Sequence, residues 1–213
     1  MQWSLYDELI RRATQDEAVV IAARQSWEVR TGAVSPEHDL YHERSEAFVE
    51  WFLIERRDGA GLTTVEQQLI RSETEAGPPG FRELLLALQA SQRSLFRVVR
   101  LRPGGLLLDD LLRGTRFVVD ERRSLPGVLA GDLFEARLIP DPDTPYRLIL
   151  GRAVLFHPRE AAAVLLQLAQ EVRRRAPLES PSAFLEQLLR LRLKALTYRH
   201  VSPARIYSAA HGA

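Results

Sequence analysis

The chain has 213 residues, 46% of them apolar, which is enough for one large hydrophobic core or two small ones. It contains no cysteine, which excludes disulfide bonds, thiolate zinc sites, iron–sulfur ligation and cysteine nucleophiles. Its apolar runs are much shorter than the roughly 20 residues that cross a bilayer, and its first residues lack the pattern of a secretion signal, so we expect a cytoplasmic protein that does not enter a membrane.

The N-terminal third is predicted to be helical. Thr14 and Glu17 have the spacing of a capping box, in which a hydroxyl and a carboxylate satisfy the first free N–H groups of a helix. Ser35 followed by Pro36 predicts the start of a second helix, because proline loses nothing at the first helical position. The segment TTVE at residues 63–66 predicts the start of a third helix.

Near Ser94 the pattern changes to short apolar runs separated by turns that contain glycine or proline. In the first run, strict alternation places Arg97 on one face of a strand and Phe96, Arg100 and Arg102 on the other. Five or six short strands within about 65 residues predict a small antiparallel barrel, since closure removes the exposed edges of a sheet. The runs are SLFRVVRLR, LLLDDLL, TRFVVDE, DLFEARLI, YRLIL and RAVLF.

Helical periodicity returns after His157 and Pro158, and the apolar positions between 184 and 196 cover an arc wide enough for a helix packed on more than one side. The fold class predicted is therefore α+β. We expect a helical section over residues 1–92, a small β-barrel of the SH3 or OB type over 93–157, and C-terminal helices over 158–213 that pack on the rest.

A family resemblance covers roughly residues 40–160. The helix with Phe48, Trp51 and Phe52, followed by SLFRVV, GGLLLDDLLRGTRFVV, GDLFEARLIP and RAVLFHP, resembles a helix-plus-small-barrel region of uncharacterised bacterial proteins, some of which carry a C-terminal SEC-C metal motif. The chain lacks the cysteines of that motif. The resemblance implies a fold without an attached reaction, and no functional residue follows from it.

The charge of the chain changes from acidic to basic along its length. Residues 1–90 hold 9 arginines against 16 acidic residues, whereas residues 171–213 hold 8 basic residues against 3 acidic ones. Only Lys194 of the 29 basic residues is lysine, which is typical of GC-rich bacterial codon usage and also suits the binding of phosphate by arginine. This distribution favours a phosphate-facing C-terminal half or association between halves or copies.

Clustered arginines favour a binding protein that contacts nucleic acid or an acidic partner, because small barrels bind single strands through a basic groove and stacking aromatics. Phe96 is the candidate stacking residue. The candidate contacts are Arg97, Arg100, Arg102, Arg173, Arg174, Arg175, Arg192 and Lys194.

The alternative function is a protein-interaction or assembly adaptor. It would use the acidic helical N-terminus, with Trp3, Trp27 and Trp51, and the leucine-rich helix near residues 184–196. Such a protein would bind a protein partner or associate with itself.

Catalytic patterns are weak, so no catalytic residue and no cofactor is predicted. The sequence has neither a glycine-rich phosphate loop nor a nucleophile elbow. His38 and His42 lie four residues apart, as metal ligands on a helix do, and they keep a small metal-dependent hydrolase open as a third function. Asp109 and Asp110 are neighbours in a strand and should point to opposite faces, which prevents a shared proton.

Asp132 and Arg137 raise a separate question, because they follow a glycine turn at the start of a predicted strand. We expect Asp132 to accept backbone N–H groups across that turn. Arg137 should either face solvent or pair with an acid such as Asp110 or Glu135. The sequence alone leaves open whether the two residues are structural only.

Overall fold

The computed structural model describes residues 3–75, 77–123, 125–175 and 181–209. Within these residues the chain is a mixed α/β structure of eight α-helices, one 3-10 turn and five strands. The elements are α1 (Trp3–Ala13), α2 (Glu17–Thr31), α3 (Tyr41–Ile54), α4 (Thr64–Arg71), α5 (Phe81–Gln89), β1 (Gln92–Arg102), β2 (Gly105–Asp110), β3 (Arg116–Asp120), β4 (Leu133–Asp141), β5 (Thr144–Phe156), the 3-10 turn (Arg159–Ala161), α6 (Ala162–Arg175), α7 (Ser182–Thr197) and α8 (Pro203–Ser208).

The starts of the N-terminal helices confirm one sequence prediction and correct two. The helix predicted to start at residues 63–66 is α4, and Thr63 and Glu66 form a capping box at its start. The first residue of α2 is capped by Asp16, whose carboxylate accepts the N–H of Val19, so the assignment of the cap to Thr14 was wrong. Ser35 does not start α3 either, because residues 36–40 form turns and the helix begins at Tyr41.

The five strands form one sheet in the order β1-β2-β3-β5-β4, and the pairing of β4 with β1 closes it. β3 and β5 are parallel where they meet, whereas the other neighbours are antiparallel. The predicted runs YRLIL and RAVLF belong to a single strand, β5. Leucines and phenylalanines fill the interior of the closed sheet, where Phe134 contacts both Phe96 and Phe156.

A bulge in β1 changes which residues share its outer face. Arg97 pairs with Asp109, but the register shifts after Val98, so that Arg100 pairs with Leu107 and Arg102 with Gly105. Paired residues lie on the same face of a sheet, and positions 105, 107 and 109 of β2 face outward. Arg97, Arg100 and Arg102 therefore lie on one face, which corrects the strict alternation expected from the sequence.

The three predicted sections share their hydrophobic cores. Ile139, Ala153 and Leu155 of the sheet and Leu189 of α7 belong to the same buried cluster as the N-terminal helices. Leu185, Leu188 and Leu191 of α7 belong to a second cluster with residues of α6 and α8, which confirms that this helix is packed on more than one side. None of the helices in the described parts of the chain has the length and apolar character needed to span a lipid bilayer.

Candidate functional site

The outer surface of β1, β2 and β3 forms a basic face with an apolar centre, which we call the β1–β3 face. Cross-strand pairing arranges it in three rows that lie about 7 Å apart, the distance between alternate residues of a strand. The rows are Arg97, Asp109 and Arg116; then Arg100, Leu107 and Val118; then Arg102, Gly105 and Asp120.

An open cavity of about 490 Å³ lies beside the first row, between the sheet and α6. Arg97 comes to it from β1, Arg116 from β3 and Arg173 from α6. We call it the arginine cavity. Two of the predicted contact residues, Arg97 and Arg173, meet at this cavity. Arg116, which was not predicted, is the third arginine there.

Asp109 holds the first row in place. Its carboxylate accepts a hydrogen bond from Arg116 Nε at 2.7 Å and from Arg97 Nη2 at 2.6 Å. These bonds, first that from Arg116, hold the pKa of Asp109 below its usual value, so the carboxylate is charged at neutral pH. Three guanidinium groups lie here against two carboxylates, those of Asp109 and of Asp110, and the second is buried and paired with Arg113. The cavity therefore has an excess of positive charge, which suits an anionic ligand.

Arg173 reaches the cavity across the backbone of Gly114. A Cβ atom at this glycine would lie 2.6 Å from Arg173 Nη1, so the absence of a side chain there leaves space for the guanidinium. In the described parts of the chain, no carboxylate lies within ion-pair distance of Arg173. The guanidinium is therefore available to a bound anion.

The remaining predicted contacts divide into exposed and enclosed groups. Arg174, Arg175 and Lys194 are exposed but are not among the described residues that line the cavity, and Arg175 lies 3.5 Å from Glu171. Arg192 is half-buried, and its Nε donates to the carbonyl of Phe156 at 2.9 Å. Arg192 is not among the described residues that line the cavity, and its bond to Phe156 ties α7 to the end of β5.

The predicted stacking role of Phe96 is wrong. Its side chain is 0% exposed and packs against Phe134 inside the closed sheet, with ring centroids 5.8 Å apart. Phe96 precedes Arg97 in a strand, so an outward Arg97 requires an inward Phe96. No base can reach the ring.

The two histidines do not form a site on one helix. His38 lies in the turn before α3, where its Nδ1 accepts the N–H of Leu40 at 3.1 Å, whereas His42 is exposed in the first turn of the helix. Among the described residues, no group of three or more histidine, aspartate or glutamate side chains is placed to hold a metal ion. The described residues therefore offer no set of metal ligands for the proposed hydrolase.

Asp132 and Arg137 are parts of the scaffold. Asp132 accepts the N–H of Leu129 at 2.8 Å, as expected, and also pairs with Arg159. Arg137 is 3% exposed and pairs with Glu50 of α3 and with Glu55 just after that helix, not with the acids proposed from the sequence. It joins the sheet to the N-terminal helices.

The sequence analysis did not identify Arg116, because only the pairing of β2 with β3 brings this residue close to Arg97. It lies two residues after Gly114, at the start of a strand whose register puts it opposite Asp109. The sequence predicted only that Asp109 and Asp110 point to opposite faces, without showing which of them faces outward. Only the register showed that Asp109 and Arg116 reach Arg97.

No curated protein and no solved structure matches this chain at a significant level. A family model does match, over residues 33–183, which cover most of the chain and include α3, the whole closed sheet and α6. This match confirms the expectation that the chain resembles an uncharacterised family. The chain belongs to the family of unknown function DUF7986.

Proposed function

We propose that this protein binds nucleic acid, without catalysis, through the β1–β3 face and the adjoining arginine cavity. The observation that carries the proposal is the convergence of Arg97, Arg116 and Arg173, from three separate elements, on one open cavity. Affinity for nucleic acid depends chiefly on clustered cations that neutralise phosphates. Arg100 and Arg102 continue the positive charge along the same face.

The strand arrangement supports an OB-like barrel within this proposal. Such barrels have five strands in a Greek-key arrangement, and they bind oligonucleotides on the face of strands 2 and 3. Here β2 and β3 carry the centre of the β1–β3 face, and the crossover that makes β3 and β5 neighbours departs from a simple meander. The use of arginine over lysine supports a bacterial origin.

The second candidate function is protein association, and one helix favours it. Trp27, Trp51 and most of the leucines of α7 are buried, so they cannot serve as the partner-facing surface that the sequence suggested. On α2, however, Ile21 is 50% exposed and Val29 is 74% exposed. This outer face of α2 is the surface that a protein partner or a second copy would cover.

Fluorescence anisotropy tests the proposed function. Labelled oligonucleotides titrated with the protein should bind at about 50 mM salt and lose most of their affinity by about 200 mM, because binding releases counterions from phosphates. Polyglutamate of similar length should compete weakly. Absence of binding at both salt concentrations, together with a molecular mass that rises with protein concentration, would reject this function and favour association through α2.

Replacement of Asp109 by asparagine should tighten binding. The substitution removes the carboxylate that occupies Arg97 and Arg116 and frees both guanidinium groups for phosphate. We expect affinity to rise roughly threefold to fivefold and the salt slope to steepen by about one unit, measured in the same titration.

Asp39→Asn is the matched control for Asp109→Asn. Asp39 is an exposed partner of Arg199, outside the arginine cavity, and its replacement makes the same change in net charge. Equal tightening in both variants would show that overall charge, and not the cavity, sets the affinity.

A further inference from the structure

We infer that the arginine cavity holds the terminal phosphate of a nucleic-acid strand, so that the protein binds the phosphorylated end of that strand in preference to its interior. The inference rests on the proposed function and specifies its ligand. It depends on where the outer surface of the sheet ends and on the guanidinium groups that meet at that place.

The β1–β3 face ends at the arginine cavity. On β1, the next position of this face after Arg97 is Leu95, because side chains alternate along a strand. Leu95 is 0% exposed and belongs to a buried cluster with Leu165 and Ala169 of α6. Leu111, whose N–H donates to the carbonyl of Leu95 at 2.9 Å, packs against the same cluster. Since α6 covers the sheet beyond the first row, a strand that follows the face into the cavity has to end there or turn away from the sheet.

The cavity has room for more than a phosphate group. Its volume of about 490 Å³ lies in the range of roughly 300–1,000 Å³ in which proteins bind whole small molecules. Leu111 and Leu166 line it together with Thr115 and Gln170, so apolar surface and hydrogen-bonding side chains lie beside the guanidinium groups. The sugar and base of a last nucleotide can therefore enter with its phosphate.

A terminal phosphate suits this group of arginines better than an internal one does. A phosphate monoester carries a charge of about −1.5 to −2 at neutral pH and has three strong acceptor oxygens, whereas a phosphate inside a strand carries about one negative charge. Guanidinium groups bind such oxygens in pairs. Arg97, Arg116 and Arg173 come from three elements and surround one space, so they can reach a phosphate from several sides. The end of a strand therefore gains more from the cavity than its interior does.

The test compares single-stranded DNA probes that carry the same charge in different places. Two probes are 12-nucleotide strands with a phosphate at the 5′ or the 3′ end, and the third is a 14-nucleotide strand with hydroxyl groups at both ends, lengths within the roughly 4–16 nucleotides that small barrels contact. The extra internal phosphates of the third probe match the charge of one terminal phosphate. With a fluorescent label on an internal base, one of the phosphorylated probes should bind wild type about tenfold more tightly than the third at about 50 mM salt.

Arg173→Gln should remove this preference. The substitution takes one guanidinium group from the cavity, so the phosphorylated and the hydroxyl-ended probes should then bind with about equal affinity. Arg102→Gln is the matched control, because it removes the same charge from the third row, at the other end of the β1–β3 face. It should weaken the binding of all the probes by about the same factor and preserve the ratio between them.

The outcomes separate this inference from the proposed function. If the probes bind wild type equally, or if Arg173→Gln keeps the preference for a phosphorylated end, the inference is wrong while nucleic-acid binding stands. It is also wrong if a nucleoside monophosphate displaces the phosphorylated probe as effectively as the unlabelled phosphorylated strand does, because the ligand would then be a free nucleotide. If wild type binds none of the probes at low salt, the proposed function itself fails.

Discussion

Arg137→Met is expected to destabilise the protein by about 3–5 kcal/mol, the usual cost of removing one partner from a buried ion pair. Arg137 lies between Glu50 and Glu55 and also donates to Ser91 Oγ at 3.3 Å. Methionine fills much of the same volume but leaves the carboxylates of Glu50 and Glu55 without their main cation. The loss should appear as a lower free energy of unfolding in urea, measured by tryptophan fluorescence.

The loss of stability in Arg137→Met should depend on pH. Burial raises the pKa of Glu50 above its ordinary value of 4.5, while Arg137 acts to lower it. Without Arg137 the pKa of this carboxyl rises further, and a group whose pKa is raised by folding stabilises the folded state only where it is protonated. The difference in free energy of unfolding between wild type and Arg137→Met should therefore be smallest near about pH 5 and grow towards about pH 7.

Arg147→Met is the control for the buried pair. Arg147 also lies on a strand and pairs with an acid, but its side chain is 56% exposed. An exposed pair contributes at most about 1 kcal/mol, so this variant should unfold almost like wild type. Similar losses in the two variants would contradict a buried, stabilising role for Arg137.

The order of elements was accessible from the sequence because it depends on local patterns. Short apolar runs separated by glycine and proline gave the extent of the sheet, which spans Gln92–Phe156 against a predicted 93–157. The face on which each arginine lies was not accessible. A single bulge after Val98 moves Arg100 and Arg102 to the side of Arg97, and nothing in the local pattern SLFRVVRLR indicates it.

Aromatic residues misled the sequence analysis for a related reason. Phe96 and Trp27 lie beside charged or polar residues, so each could be exposed or buried depending on its neighbours in space. In the fold both are fully buried, whereas Tyr146, which no motif distinguished, is fully exposed. Burial of an aromatic side chain is decided by tertiary packing, and that information is absent from a short segment.

Arg173→Glu is expected to weaken binding to nucleic acid about tenfold at 50 mM salt and to reduce the salt slope by about one unit. The substitution removes one of the three guanidinium groups of the arginine cavity and adds a carboxylate that repels phosphate. Arg174→Glu makes the same change in net charge one residue later. A step of one residue turns the side chain by about 100° around a helix, so Arg174 does not share the cavity. Arg174→Glu should therefore weaken binding by less than about threefold.

A double-mutant cycle shows whether the cavity acts as one unit. Residues that contact the same ligand group couple energetically, whereas distant residues contribute independently. The gain from Asp109→Asn should therefore shrink in the Arg173→Glu background and persist in the Arg174→Glu background. Two outcomes would contradict this: an equal gain of affinity from Asp109→Asn in both backgrounds, or an equal loss of affinity from Arg173→Glu and Arg174→Glu alone. Either would mean that the affinity depends on the total charge of α6 and not on the geometry of the arginine cavity. Arg173 and Arg174 are exposed and Asp109 is not fully buried, so circular dichroism should show the same fold in each variant.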